Sequence, residues 1–163
     1  MLLSQELVQN LFDYQNGQLI WKNPHRPSRA KVGKQAGTIS NTTGYRQVSV
    51  KSKTYMEHRI VFLWHHGFLP VNVDHINGNR LDNRINNLRA ATVNQNRYNA
   101  LPKRNNTSGV RGVSWSKSSK KWCAAVRANN RIVFRAMFDD LELAELTVIM
   151  AREKYHGNFA SHV

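Results

Sequence analysis

The chain has 163 residues, 40% hydrophobic and 9% aromatic, enough apolar material for one medium domain or two small ones and too much for a disordered tail. Its 24 Lys and Arg against 10 Asp and Glu give a formal net charge of +14, which favours association with a polyanion through counterion release. The surplus is concentrated, with eight basic residues and no acidic one in 14–56 and nine and none in 101–135, and this points to nucleic acid ahead of a solubility charge or an anionic membrane surface.

From the N-terminus, Leu7, Leu11 and Phe12 recur at helical spacing behind Ser4, a suitable cap, and predict a short amphipathic helix within residues 4–14. A strand is expected over Gln18–Lys22, then an exposed basic loop from Asn23 to Ala36 that contains two prolines. Residues 37–40 and 45–51 flank the turn-forming stretch from Asn41 to Gly44 and read as a hairpin. Residues 56–66 are richly apolar, and Ile60, Val61, Leu63 and Trp64 suit a buried helix. Residues 71–75 then form a short strand, 76–87 a long turn rich in Asn, 88–91 a second strand, and Thr92 starts a helix that runs to about Asn99.

That last module carries the chemistry. An adjacent carboxylate and imidazole, Asp74 and His75, are followed by amides at Asn87 and Asn96. These are the parts that metal-assisted phosphodiester hydrolysis needs: an anionic oxygen ligand, a base for the attacking water, and neutral oxygen donors that leave room for phosphate. With Thr92 as N-cap, Asn96 projects from the early helix back toward the strand that ends in Asp74 and His75, a geometry able to close around one hard cation such as Mg²⁺. Each residue also has a plain structural reading: Asp74 as a turn cap, Asn87 in a left-handed position, Asn96 as a solvated helix residue. Arg80 and Arg84, in the loop, are candidates for phosphate contacts, as is Arg59 beside His58; Arg59 could equally hold the loop in place. Lone Cys123 excludes an internal disulfide and a structural zinc site built on paired cysteines.

The run from Val73 to Asn96 resembles the HNH (ββα-metal) endonucleases of phages and group I introns, with His58 and Arg59 upstream similar to the His-Arg that precedes the motif in many of them. The resemblance covers about residues 10–100. It implies Asp74 as the metal-binding carboxylate, His75 as general base, Asn87 as the residue that orients the base, and Asn96 as second metal ligand. Asparagine in the last place, where other branches have histidine, implies Mg²⁺ or Mn²⁺, one ion per site, in preference to a softer transition metal.

Residues 100–109 have the polarity and breakers of a linker. Beyond them, residues 112–115, 122–127 and 132–138 read as three strands, and Asp139 with Glu142 as the capping box of a helix whose Ala144, Val148, Ala151 and Tyr155 form one stripe. Residues 107–160 resemble the AP2 DNA-binding domain appended to phage HNH enzymes, through Val110 to Val113, Trp122 to Arg127, Phe138-Asp139 and His156 to Ala160. The resemblance implies that the open sheet face enters the major groove, with Arg111 and Arg127 at DNA-contacting positions. Trp115, Lys117, Lys121 and Arg131 are further candidates by charge, aromatic character and place.

The expectation is therefore an α+β protein with an HNH nuclease module over 1–100, a basic linker over 101–108, and an AP2-like module over 109–163, in which a small three-stranded antiparallel sheet is backed by one helix. It would act as a cytoplasmic, metal-dependent endonuclease on double-stranded DNA, with no membrane partner and no small-molecule cofactor, and with a monomer favoured. Two rivals stand beside it: a DNA-binding regulator whose nuclease fold has lost activity, and an RNA-binding or RNA-cleaving module.

Overall fold

Ser4 begins the first element as expected, its hydroxyl accepting a hydrogen bond from the Leu7 amide in a computed structural model that describes residues 3–24, 30–100 and 106–160. Helix α1 spans Gln5–Leu11 and stops earlier than the sequence pattern predicts. Phe12 instead opens strand β1 (Phe12–Gln15), which pairs antiparallel with β2 (Gln18–Trp21). Asn16 and Gly17 cause the difference, since both take positive φ and make the tight two-residue turn that brings Phe12 opposite Trp21. The two rings meet at 4.5 Å between centroids.

A second sheet holds β3 (Thr38–Ile39), β4 (Arg46–Val50) and β5 (Lys53–Met56), in that spatial order and antiparallel throughout. The expected hairpin is its first half. Its third strand, over residues that the sequence pattern leaves unassigned but for Met56, forms because Lys51 and Ser52 both adopt positive φ and reverse the chain. Gly37 at the sheet's entry is required for a different reason: its φ is 76°, and a Cβ there would lie 2.1 Å from the Gln47 carbonyl oxygen. Of the basic loop expected at 23–36, residues 25–29 lie outside the described residues.

Helix α2 (Glu57–His66) is the hub of this part of the chain, packing on α1, β2, β4 and β5 and on the next ribbon. Ile60, Val61, Phe62 and Leu63 join Val8, Leu11, Phe12, Leu19, Val48 and Val73 in one core, each large apolar side chain contributing about 1.5–3 kcal/mol by leaving water. Gly67 closes α2 with φ 77°, and the amides of Gln5 and Gln9 both donate to the Trp64 carbonyl in its last turn. The ribbon is β6 (Asn72–His75) paired with β7 (Leu88–Ala91), with Asp74 opposite Arg89 and His75 opposite Leu88.

Contacts divide the chain into two compact units, Met1–Thr92 and Val93–Val163. The division falls ahead of the expected boundary at residue 100, because helix α3 (Val93–Tyr98) packs by Tyr98 on His156, rings stacked at 4.0 Å and 3°. Most of the expected linker, residues 101–105, lies outside the described residues.

The second unit carries β8 (Val113–Ser116), β9 (Lys121–Ala128) and β10 (Arg131–Phe138) in an antiparallel sheet with β9 in the middle. Helix α4 (Leu141–His156) covers one face through Ala144, Val148 and Ala151 against Val113, Ala124 and Val126. The cap of α4 is Asp140, which accepts from the Leu143 amide at 3.0 Å; the expected cap, Asp139, is instead the partner of Lys121. Cys123 is a buried strand residue. The whole is a mixed α+β structure of small antiparallel sheets and, among the described residues, four α-helices, none long and apolar enough to cross a membrane.

Candidate active site

Asp74 and His75 are consecutive on β6 and so project to opposite faces of the ribbon. Both are buried, with 5% and 4% of their surface exposed. Asp74 Oδ2 receives Arg89 Nε at 2.8 Å and Arg89 Nη2 at 2.7 Å across the strand pair.

The His75 imidazole faces α2 and the 76–87 loop. Its Nε2 lies 2.9 Å from Asn83 Oδ1, and Asn83 Nδ2 donates at 2.6 Å to Glu57 Oε2 at the start of α2. Glu57 also accepts from the Leu19 amide at 3.1 Å, and Arg46 Nε stands 3.8 Å from Oε2. Glu57 and Asn83 are each only 2% exposed. This chain fixes a tautomer. Glu57 as a carboxylate can only accept, so Asn83 must turn its amide nitrogen to Glu57 and its oxygen to His75, which leaves Nε2 of the neutral imidazole as the protonated nitrogen and Nδ1 with the lone pair.

The other walls are rings. His58 lies 4.9 Å from His75 between centroids, and Tyr45 lies 5.0 Å from His58 and 5.9 Å from His75. Arg80 stacks over Tyr45 at 5.1 Å while donating to the Thr43 carbonyl at 2.8 Å. Burial holds the His75 pKa below its ordinary value, against the opposing effects of Asn83 and Asp74. Burial, followed by the charges of His75 and Arg59, brings His58 down to about 3. Burial raises the Glu57 carboxyl above the usual range, opposed by its hydrogen bonds to Leu19 and Asn83 and by Arg46.

Asn87 acts at one remove from the imidazole. Its Oδ1 accepts from the Asn77 amide at 3.0 Å, its Nδ2 donates to Asn77 Oδ1 at 2.9 Å and to the Asp82 carbonyl at 2.8 Å, and its own carbonyl accepts from the Ile76 amide at 2.9 Å. It ties down the loop that presents Asn83, the residue in contact with His75. The loop arginines and Arg59 have partners within the protein. Arg84 forks onto Asp82 at 2.7 and 2.8 Å, holding that carboxyl well below its usual range, and Arg59 donates to the Pro70 and Val71 carbonyls at 3.2 Å each. Asn96 lies on α3 and belongs to the second unit.

Sequence reasoning missed Glu57, Asn83 and Tyr45. Five asparagines occupy residues 76–87, and nothing in their spacing marks Asn83 as the one turned inward to a glutamate 26 residues earlier.

In the second unit the strand register sorts the expected DNA contacts. Val113, Trp115, Trp122, Ala124 and Val126 share the face that α4 covers, since Val113 pairs with Ala124 and Trp115 with Trp122, their rings 5.0 Å apart. Trp115 lies on the same side as Trp122 but keeps 44% of its surface exposed and is not among the residues packed under α4. Lys121, Arg127 and Arg135, the last missed in the sequence, fall on the open face together with Cys123 and Ala125. Lys117 is in the turn between β8 and β9, and Arg131 opens β10 opposite Ala128. Arg111 is half-buried and donates to the Arg97 carbonyl on α3.

Residues 55–98 match the model of a family described as HNH endonuclease. Protein 3.8 of Escherichia phage T7 is 36% identical over 90 residues, an alignment that takes in 54% of this chain and 72% of that protein. No solved structure matches the chain. The matched segment runs from β5 to α3 and contains Glu57, Asp74, His75, Asn83, Asn87 and Asn96, and with a relative of this extent the chain belongs to the HNH endonuclease family.

Proposed function

We propose that the protein is a divalent-metal-dependent endonuclease that hydrolyses phosphodiester bonds of double-stranded DNA, with His75 as general base. The observation that carries this reading is the Glu57, Asn83, His75 chain. It presents a buried, neutral imidazole in one tautomer, and a base of that kind accepts a proton from attacking water at Nδ1 without first losing its own. Oriented general-base catalysis contributes about 10²–10⁴-fold.

A single carboxylate with neutral oxygen donors suits a hard cation. Mg²⁺ or Mn²⁺ binds through one or two carboxylates and keeps its remaining positions for water and phosphate. Asp74 is the carboxylate that would hold it. Bound there, the ion would stabilise charge on the phosphate and on the departing 3′ oxygen. Arg89 balances the buried Asp74 charge and keeps its Oδ2 in place.

The second unit we assign to DNA reading in the manner of an AP2 domain, through Lys121, Arg127 and Arg135 on the open sheet face. A nuclease tethered to a separate reader acts at a chosen locus because binding of one raises the local concentration of the other, as in free-standing homing endonucleases of phage type. Incubating the purified chain with duplex DNA, or with RNA of the same sequence, in Mg²⁺ or EDTA tests the reading. Mg²⁺-dependent nicks in the DNA alone are expected; binding without cleavage would leave a DNA-binding regulator, and preferential RNA cleavage an RNase.

A further inference from the structure

The second unit contains a cavity of about 350 Å³ beside the end of β9, where that strand runs on past β8. Its polar lining is basic. Arg97 and Tyr98 of α3, Arg111, Arg127, and Arg152 and His156 of α4 all contribute, and no acidic residue is among its lining residues. Arg152 is 5% exposed, yet its Nε and Nη2 have no hydrogen-bond partner among the described residues; the same holds for Nη1 of Arg111 and Nδ1 of His156. Two guanidiniums thus line one cavity, and each has buried nitrogen donors without a hydrogen-bond partner among the described residues.

That arrangement is costly unless something fills it. An arginine stays charged in a protein interior, and a buried cation left without a counter-ion or hydrogen bonds is strongly unfavourable. The two charges also repel: burial and then Arg111 bring the Arg152 pKa down to about 10, and burial, Arg152 and Arg111 all disfavour the charged form of His156. The surroundings hold His156 and Arg111 at the cavity wall. His156 is held by its Tyr98 stack and by Nε2 donating at 2.9 Å to the Arg127 carbonyl, and Arg111 by its bond to the Arg97 carbonyl.

We propose that this cavity is a phosphate-binding site, in which Arg152 and Arg111 grip the oxygens of one phosphate group. Guanidinium donors in a fixed fork match phosphate geometry and satisfy it with paired, charge-assisted hydrogen bonds. The cavity lies away from Asp74 and His75 in sequence and its assignment does not depend on nuclease activity. The phosphate could be a backbone phosphate of bound nucleic acid or a free phosphate anion, and the experiment separates the two.

Thermal unfolding of the full chain is followed in inorganic phosphate and in sodium chloride of equal ionic strength. Phosphate should raise the Tm by about 2–6 °C beyond chloride. Arg152→Met and Arg111→Gln should each abolish most of that difference, whereas Lys154→Gln, an exposed charge of the same unit, should keep it. In phosphate-free buffer Arg152→Met should unfold at the same or a higher temperature than the wild type, because it removes an uncompensated buried charge; an arginine with a purely structural role would show the reverse. Duplex binding then identifies the source. A slope of log affinity against log salt reduced by about one in Arg152→Met assigns the phosphate to nucleic acid, and an unchanged slope with the inorganic-phosphate response intact in the wild type assigns it to a free anion. Equal Tm values in phosphate and chloride, with a destabilised Arg152→Met in phosphate-free buffer, would overturn the proposal.

Discussion

At the residue scale, what distinguishes His75 from the other described histidines is the amide behind it. Asn83 connects the imidazole to a buried carboxylate, with a bond of ordinary length to His75 and a short one of 2.6 Å to Glu57. Asn83→Leu keeps the volume near constant and removes both bonds, stranding Glu57 Oε2; the expected cost is about 1–3 kcal/mol of stability for the unsatisfied group. Cleavage should fall by at least tenfold more than the loss of folded protein explains, which single-turnover kinetics on the soluble fraction would read. Asn87→Ala should show the reverse balance, with a stability loss from the untied loop and a smaller effect on the chemical step per folded molecule. His58 gives a pH signature. Its folded pKa of about 3 is depressed from 6.5, so the stability it contributes is fully present above pH 6.5 and is lost as pH falls toward 3, by up to about 4–5 kcal/mol. Denaturant unfolding between pH 7 and 4 should therefore be flatter in His58→Phe than in the wild type. Glu57, with a raised pKa, contributes in the opposite direction, so a wild-type profile that rises on acidification would show that its effect dominates.

At the element scale, turns position the site. Gly37 and Gly33 have the same φ of 76°, but a Cβ on Gly33 meets nothing within 4 Å while one on Gly37 runs into the backbone of Gln47. Gly33→Ala should cost about 1–2 kcal/mol, the strain of a left-handed alanine; Gly37→Ala should cost clearly more, because β3 must separate from β4 to admit the methyl group. Thermal unfolding of the two variants side by side measures the difference. Helices and strands with strong periodicity were legible in the sequence: α2, the β6 and β7 ribbon, and the three strands with their covering helix all follow from apolar spacing between polar turns. What escaped were the tight reversals at Asn16-Gly17 and Lys51-Ser52, where two positive φ values in succession turn a continuous stretch into a hairpin. The second pair contains no glycine, so only the strand pairing on either side reveals it. The helix cap moved by one residue for a related reason: Asp139 and Asp140 are equivalent as caps, and the cross-strand pull of Lys121 on Asp139 decides between them.

At the scale of the whole molecule, the proposed function has a charge of +14 supply affinity for the duplex and the two units divide cleavage and reading. The candidate catalytic pair was readable because Asp-His with downstream asparagines is a rare order. The support for that pair was not, since Glu57 and Asn83 meet only through the fold. Composition predicts a basic surface, and strand register alone shows which side chains share one: Lys121, Arg127 and Arg135 lie on the open face, while Trp115 shares the side of Trp122 yet stays 44% exposed. Replacing Arg127 and Arg135 by Gln should lower duplex affinity and reduce the salt slope by about two, one for each phosphate that is no longer neutralised, while the nicking rate at saturating protein stays near that of the wild type. An unchanged slope would remove the open face from the interface.

The central claim is that a buried imidazole, held in one tautomer by Asn83, removes the proton from the attacking water. Single-turnover nicking of duplex DNA in Mg²⁺, by wild type and His75→Ala with duplex affinity measured in parallel, tests it most directly. The account predicts a rate lower by about 10²–10⁴-fold in His75→Ala with affinity within a few-fold of wild type. A rate within a few-fold of wild type, or a loss of cleavage matched by an equal loss of binding, would contradict it.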